Sequence, residues 1–247
     1  MLVQTISLPE PLRITALPLT REAFAPFGQV IANPRPGHGP ANTTPEAIAD
    51  GILPYGAIST NQGTAIQYRD IASMRDLYDE APSAQRAGPR MTMFVCGART
   101  LVSGGVKVQV LERHPFTSQT FIPLTADGSK RYLVVVAPTA GDVTDDQLQG
   151  MPAPHGEGLP GRGLPALPGL KAFLATGDQA VTYGAGTWHA PMIALGPENS
   201  TVDFVVVQFA NGVPVEDCQE IALEVRGGRA EDEDNGAAAI TVHVPEI

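Results

Sequence analysis

Hydrophobic residues recur at every second position along several short stretches of the chain, which is the period of a β-strand. The clearest case is the run Val106, Val108 and Val110. Continuing this parity places Glu112 and His114 on the same apolar face. Because ionisable groups are costly to bury without partners, the pair indicates a pocket. The alternative is that the strand simply emerges into solvent at this end.

The remaining pattern predicts many short strands and few helices. The apolar run 131–138 is typical of a strand buried on both faces. Short helices are predicted after Thr20, a good N-cap, and at 168–177, between a proline and a glycine. Further strands are predicted at 29–32, 65–68, 91–95, 179–183, 201–209, 216–225 and 240–244. With 26 glycines and 23 prolines, the chain is expected to form a mainly β barrel or sandwich.

The chain shows no internal repeat and no domain boundary, so we predict one domain over residues 1–247. The segment 141–168 is rich in Gly, Pro and acidic residues and has no hydrophobic period, which predicts a loop insertion. His155 within it is interpreted as an exposed histidine. The acidic segment 231–234 is predicted to be solvated.

The amino-acid composition limits the possible binding partners and the possible cellular compartment of the protein. A net charge of −10 argues against nucleic acid and against anionic membranes as partners. Cys96 and Cys218 are the only cysteines, so a disulfide framework is not expected. The first residues lack the basic and apolar regions of a signal peptide, and no run is long enough for a transmembrane helix. We therefore expect a cytoplasmic protein.

A second stretch, 183–192, also contains residues that are common in functional sites. Gly184 and Gly186 allow a tight turn, which delivers Trp188 and His189 to the next strand. A single histidine in such a place is more often structural than a ligand. Taken together with Glu112 and His114, however, it forms a more specific pattern.

These two stretches resemble the two motifs of the cupin superfamily, which consists of small β-barrels that hold a metal or a substrate inside. The first motif reads His-x-His, a short gap, then Glu, and its places are taken here by Glu112, His114 and Gln119. The second has turn glycines followed by His, matched by Gly186 and His189. Glu112 and Gln119 depart from the usual ligand types, which weakens the metal prediction without excluding it.

The resemblance to the ureidoglycolate lyases is closer still, especially to the longer fungal-type members. It covers most of 18–220 apart from the long loop. The motifs that carry it are Leu111-Glu112-Arg113-His114-Pro115, Ser118-Gln119, 121–124, Gly186-Thr187-Trp188-His189, 18–20, 24–28, Asn61-Gln62-Gly63-Thr64, 173–174 and 203–207.

The resemblance implies a jelly-roll type cupin-like β-barrel with a few short helices. It implies a homodimeric lyase that splits (S)-ureidoglycolate into glyoxylate and urea in allantoin and purine catabolism. Glu112, His114 and His189 are the expected catalytic residues. The same three residues and Gln119 are the tentative ligands of one divalent ion (Ni, Zn or Mn), and no organic cofactor is expected. The expected substrate-binding residues are Asn61, Gly63, Arg113, Ser118, Gln119 and Trp188.

The residue types suit this chemistry on physical grounds. Cleavage of the carbinolamide needs a base for the hydroxyl proton, an acid for the departing urea nitrogen and a group that holds the carboxylate. A histidine titrates near neutrality and suits proton transfer, whereas Ser118 and Gln119 offer hydrogen bonds to substrate oxygens. A bound metal would lower the pKa of the substrate hydroxyl.

Several alternatives remain open at this level. Strict alternation places Arg113 on the face of the strand opposite Glu112 and His114, which favours a structural salt bridge or a subunit contact. A β-bulge would instead turn Arg113 to the same face as the other two residues. The same residues are compatible with a hydrolase that releases ammonia from ureidoglycolate. They are also compatible with a metal-dependent cupin oxygenase or isomerase, and with a non-catalytic cupin that binds a small molecule.

Overall fold

The computed structural model of the chain describes residues 2–125, 128–141, 150–154, 156–226 and 238–245. His155 and the acidic segment 231–234 lie outside these ranges. The strands, in chain order, are β1 Leu2–Leu8, β2 Leu12–Thr15, β3 Leu17–Pro18, β4 Gly28–Ile31, β5 Ile58–Thr60, β6 Ala65–Gln67, β7 Gly88–Gly97, β8 Gly105–Val108, β9 Val110–Arg113, β10 Gln119–Pro123, β11 Arg131–Ala137, β12 Lys171–Thr176, β13 Ala180–Tyr183, β14 Trp188–His189, β15 Ile193–Leu195, β16 Thr201–Ala210, β17 Gln219–Val225 and β18 Ile240–His243.

The helices of the described residues are short: α1 Arg21–Phe24, α2 Pro45–Ala49 and α3 Pro214–Asp217, with 3₁₀ turns at Asn61–Gly63, Tyr78–Glu80 and Leu167–Gly169. As predicted, the Thr20 side chain caps α1, accepting a hydrogen bond from the Ala23 N–H. None of the described helices is both long and apolar enough to span a bilayer.

The sequence predictions for 168–177 and 216–225 differ from the structure. The segment 168–177 forms strand β12 rather than a helix, because its apolar residues are buried between β11 and β3. Sheet pairing therefore overrides the helix signals of the flanking proline and glycine. The predicted strand 216–225 begins instead at Gln219, after α3 has ended at Asp217.

The strands form two large sheets and two small ones. The larger sheet has the order β1-β17-β9-β14-β11-β12-β3, with β15 also paired to β11, and the second has the order β4-β13-β10-β16-β7. A three-stranded sheet, β2-β18-β8, and the hairpin β5-β6 complete the set. The mainly β, cupin-like class is as predicted, although the sheets do not close into one continuous barrel.

The larger sheet separates two hydrophobic layers, as the alternating residues of β11 show. Tyr132, Val134 and Val136 belong to the layer shared with the five-stranded sheet, which we call the barrel core. Leu133 and Val135 belong to the layer shared with the three-stranded sheet, which we call the flanking core. The continuous apolar run of β11 is therefore explained by burial on both faces.

The stretch 106–113 is not one strand, which corrects the parity argument. The chain leaves the three-stranded sheet after Val108 and joins the larger sheet at Val110. The flanking core contains the even-numbered Val106 and Val108 but then the odd-numbered Leu111. The alternation of side chains between the two faces is therefore shifted by one residue at Gln109. Glu112 therefore does not continue the valine face. It faces the barrel core, whereas Arg113 faces the flanking core.

Candidate active site

Glu112, His114 and His189 converge at one end of the barrel core. His189 of β14 lies directly opposite Glu112 of β9 in antiparallel register, and on its other side opposite Val136 of the barrel core. The Nε2 atom of His189 is 3.4 Å from Oε1 of Glu112, and the two imidazole centroids are 5.5 Å apart. One ligating atom from each residue lies within 4.8 Å of the others.

Both histidines present a bare Nε2 to this space. Nδ1 of His114 is 2.7 Å from the Asp217 carbonyl oxygen, and Nδ1 of His189 is 3.0 Å from that of Thr187. A carbonyl only accepts, so each Nδ1–H donates and, in the neutral ring, Nε2 carries a lone pair. Neither buried Nε2 has a hydrogen-bond partner among the described residues. The site therefore holds two bare nitrogen acceptors beside a carboxylate.

A turn at 184–187 joins the two sequence motifs. The Gly186 N–H donates to the carbonyl of His114 (2.8 Å), and the Thr187 N–H donates to that of Gly184 (3.0 Å). Gly186 adopts φ +78°, and a Cβ there would lie 3.2 Å from the Pro160 ring. A glycine is therefore required at the position that fixes His114 relative to His189.

Burial and charge act differently on the ionisable groups of the site. Burial alone would raise the pKa of Glu112, but its interaction with His189 and the proximity of both histidines hold that pKa below its usual value. Burial, reinforced by His189, lowers the pKa of His114 to about 4. At neutral pH, the site therefore contains an ionised Glu112 and a neutral His114.

A buried polar network fixes the group that orients His114. The carboxylate of Asp217 accepts hydrogen bonds from the Tyr78 hydroxyl (2.6 Å) and from the N–H groups of Asn211 (2.9 Å) and Gly212 (2.8 Å). These bonds hold the end of α3, so that the Asp217 carbonyl points at the His114 Nδ1. Backbone carbonyls that orient histidines in this way are typical partners behind metal ligands.

Gln119 and Tyr183 contribute from the facing sheet. They lie opposite each other in β10 and β13. The amide of Gln119 donates to Gln208 (2.6 Å), but its buried Oε1 has no partner among the described residues. The Tyr183 ring stacks on His189 with a centroid distance of 4.0 Å and an interplanar angle of 11°. The sequence analysis singled out Gln119 but missed Tyr183 as a neighbour of the site.

Cys218 and Glu220 are further neighbours that the sequence analysis missed. Sγ of Cys218 is 3.9 Å from Oε2 of Glu112, and ligating atoms of Glu112, Cys218 and Glu220 lie within 4.8 Å of one another. Burial, together with the charge of Glu112, raises the pKa of Cys218 to about 12, so the thiol stays protonated. Part of this arrangement could have been predicted, because Cys218 and Glu220 are two residues apart in a predicted strand and residues so spaced share one face.

Ser118 lies on the other side of β10 from Gln119. Its Oγ accepts a hydrogen bond from the Arg75 backbone N–H (2.8 Å). It lines a cavity of about 460 Å³ together with Arg75 and Thr187, and neither histidine nor Glu112 lines that cavity. The structure does not bring Ser118 together with the three converging residues.

Four other expected substrate-binding positions also lie apart from the site. Asn61, in the exposed 3₁₀ turn between β5 and β6, bonds through its carbonyl to Thr64 of the same turn, and Gly63 is exposed beside it. Arg113 and Trp188 lie behind the site, where the guanidinium carbon is 4.6 Å from the indole centroid. Arg113 lies opposite Glu112 and His114, as strict alternation predicts, and no described carboxylate pairs with it.

The donor set fits a divalent metal ion. It offers two imidazole Nε2 atoms, a carboxylate and, across the core, the unpartnered amide oxygen of Gln119. A bare Nε2 and a carboxylate oxygen 3.4 Å apart repel each other unless a proton or a cation lies between them. Imidazole and oxygen ligands suit ions such as Zn²⁺, Ni²⁺ and Mn²⁺.

Comparison with known proteins points in one direction. A family model described as ureidoglycolate lyase matches residues 11–227. The ureidoglycolate lyase of Schizosaccharomyces pombe is 33% identical over 220 residues, covering 87% of this chain and 94% of the relative. Those of Burkholderia cepacia and Saccharomyces cerevisiae are 34% and 32% identical, over 83% and 84% of this chain and 84% and 92% of each relative.

Proposed function

The chain belongs to the ureidoglycolate lyase family, and we propose that it cleaves ureidoglycolate to glyoxylate and urea at Glu112, His114 and His189. The observation that carries this proposal is the convergence of two bare histidine Nε2 atoms on an ionised carboxylate. Such a set is able to accept the substrate hydroxyl proton and to stabilise the resulting cation.

The proton balance assigns roles to this set. The hydroxyl proton moves to a bare histidine Nε2, the O–H electrons form the carbonyl of glyoxylate, and the C–N bond breaks. The urea nitrogen takes the proton, so no water is consumed. His189 is the better carrier because Oε1 of Glu112 lies 3.4 Å from its Nε2. The pKa of His114, about 4, suits a residue that stays neutral.

We further propose that the same side chains can hold one divalent ion, through His114, His189 and Glu112 with Gln119 as a fourth ligand. A ligating Nε2 has no free lone pair, so the proton transfer by His189 described above applies to the metal-free site. When bound, the ion supplies chelation of the substrate hydroxyl and carboxylate oxygens and lowers the pKa of the hydroxyl. Elemental analysis, together with activity before and after chelation and after metal is restored, tests this point. Full activity in the chelated protein would leave these side chains as proton-transfer and orienting groups only.

The reaction is tested with purified protein and racemic ureidoglycolate. We expect glyoxylate and urea in equal amounts, with half of the racemate consumed if only the S form is a substrate, and no ammonia. Ammonia in proportion to glyoxylate, with no urea, would instead identify the hydrolase. Glyoxylate and urea are late products of purine nitrogen recovery through allantoin, which is the pathway that we propose. Cys96 and Cys218 form no disulfide bond, which is in keeping with the proposed cytoplasmic location.

We also propose a homodimer that uses the outer face of the five-stranded sheet. Met91 and Met93 of β7 are 76% and 60% exposed, and the register aligns them with Val207 and Val205 of β16 on the same face. β7 is an edge strand that pairs only with β16 among the described strands. A long apolar edge of this kind is a ready interface, and a symmetric copy places apolar residues against apolar residues.

Light scattering after size-exclusion chromatography tests the dimer. Met93→Asp is expected to produce monomers, because it places a charge at the centre of the exposed strand. Val102→Asp is the matched control, since Val102 is also exposed but lies outside β7. A monomeric wild-type protein, or a dimer that survives Met93→Asp, would contradict this arrangement.

A further inference from the structure

The residues that alternate with the three converging side chains form a second cluster. Arg113 stands between Glu112 and His114, Trp188 precedes His189, and Gln219 of β17 pairs in register with Arg113. Arg113, Trp188 and Gln219 are fully buried. Because successive side chains of a strand point to opposite faces, this cluster lies directly behind the site.

The cluster binds the long segment that the sequence predicts as a loop insertion. Nη1 of Arg113 donates to the Gly163 carbonyl (3.1 Å) and Nη2 to the Arg162 carbonyl (3.2 Å), while Nε donates to Oε1 of Gln219 (2.8 Å). Nε1 of Trp188 donates to the same Gly163 carbonyl (3.1 Å). The amide of Gln219 donates to the Pro152 carbonyl (2.7 Å). Three strands of the larger sheet therefore share one attachment to this segment.

Gly163 has a local reason to be glycine. A Cβ at this position would lie 2.3 Å from the Ala140 carbonyl oxygen. The two stretches are also joined by the Ala140 N–H, which donates to the Leu164 carbonyl (2.7 Å), and by the Ala166 N–H, which donates to that of Pro138 (2.7 Å). The segment is therefore fixed to the end of β11, and its carbonyls are held in place for Arg113.

Burying the Arg113 cation among neutral hydrogen-bond acceptors is energetically unfavourable for a residue with a purely structural role. No described carboxylate offsets its charge. What arginine provides is a rigid planar group that donates in several directions at once and stacks on an aromatic face. These are the properties needed to fix the relative orientation of neighbouring strands.

We propose that Arg113 is a positioning residue, through which residues 150–154 and 156–168 set the orientation of Glu112, His114 and His189. Its Nε, Nη1 and Nη2 each donate to a protein acceptor on the flanking side, facing away from Glu112, His114 and His189, so on this proposal it does not hold the substrate carboxylate. The catalytic readout of this inference rests on the proposed function, whereas the structural readout does not.

The test compares Arg113→Lys and Arg113→Ala with Arg13→Lys, a matched change at an exposed arginine of β2. Folding is checked by circular dichroism. The structural readout is the imidazole ¹⁵N spectrum of the five histidines, in which we expect the signals of His114 and His189 to shift and those of the others to stay. With ureidoglycolate, kcat is expected to fall about 10- to 100-fold, the size of effect that small misplacements cause, with little change in KM.

Chemical rescue separates positioning from a general loss of packing. Guanidinium added to Arg113→Ala is expected to restore the histidine spectrum and part of kcat, because it can occupy the same acceptors, whereas ammonium is expected to fail. If Arg113→Ala does not fold, Arg113→Lys with its kcat and KM carries the test. A rise in KM at constant kcat, with unmoved histidine signals, would assign Arg113 to the substrate and overturn the inference.

Unchanged spectra and kinetics in both variants would also overturn it. If the wild-type protein does not cleave ureidoglycolate, the proposed function fails. The histidine spectrum then still decides whether Arg113 positions the site.

Discussion

Strands β9 and β14 have two faces with opposite properties. On the barrel side, the Nε2 atoms of His114 and His189 are buried without hydrogen-bond partners among the described residues. On the flanking side, Arg113 and Trp188 are equally buried, but they donate hydrogen bonds to Gln219 and to the Gly163 carbonyl. Folding favours the satisfied face, since unpaired buried polar groups are destabilising. The unsatisfied face is therefore the one that is available for a ligand.

The comparison predicts that changes on the barrel side affect activity more than stability. Removing either histidine has the largest expected effect. His189→Ala removes the proposed proton carrier and should lower kcat by at least about two orders of magnitude, the usual contribution of a positioned proton-transfer group. His114→Ala removes the neutral acceptor beside it and should lower kcat by a similar factor, and both variants should retain the circular dichroism spectrum. His243→Ala is the matched control, because His243 is exposed on β18. A loss of less than tenfold in both site variants would contradict the assignment.

Lowering the pH should decrease the free energy of unfolding of the metal-free protein, because His114 is buried on the barrel side. The pKa of His114 is lowered from 6.5 to about 4 by burial and by His189. Between these values, the unfolded chain binds more protons than the folded one, so the free energy of unfolding falls as the pH falls through this window. At about 1.4 kcal/mol per pKa unit, the loss is about 3 kcal/mol. Urea unfolding from pH 7 to pH 4 measures it, and His114→Gln should flatten that part of the profile.

Replacing Glu112 by glutamine tests whether its charge is used. The amide keeps the shape and hydrogen-bonding capacity of the side chain but removes the negative charge beside His189. A charged hydrogen bond contributes about 1.5–3 kcal/mol, so kcat should fall about 10- to 100-fold. Steady-state kinetics measures this effect, with Glu224→Gln on the same sheet as control. An unchanged kcat would make Glu112 an orienting group only.

The smallest effect is expected at Ser118, which the sequence analysis assigned to substrate binding. Ser118→Ala removes the acceptor of the Arg75 N–H, which should cost about 1 kcal/mol of stability. Since Ser118 neither lies in the barrel core nor bonds to Glu112, His114 or His189, kcat and KM should stay within about twofold. Kinetics and thermal unfolding measure the two effects. A loss of kcat comparable to that of Glu112→Gln would place Ser118 in the site.

Much of the fold was accessible from local pattern. Period-2 alternation, the long apolar run of β11 and the Thr20 cap predicted mainly β structure with short helices, because these signals act over a few residues. The helix predicted at 168–177 failed, since β11 and β3 on either side of it decide its conformation. The expected substrate positions Asn61, Gly63 and Ser118 came from motif likeness, which does not specify the direction in which a side chain points.

The sequence by itself determined that Glu112 and His114 share one side of a strand, because residues two apart do so by geometry. It also determined that a glycine turn delivers His189 to a strand. Only the tertiary structure decided which side faces the barrel core. The alternation of side chains shifts by one residue at Gln109, where the chain passes from the three-stranded sheet to the larger sheet. The tertiary structure likewise brought Arg113 to its acceptor Gly163, which is 50 residues away in the chain. Such pairings depend on the packing of the whole chain, and no local period encodes them.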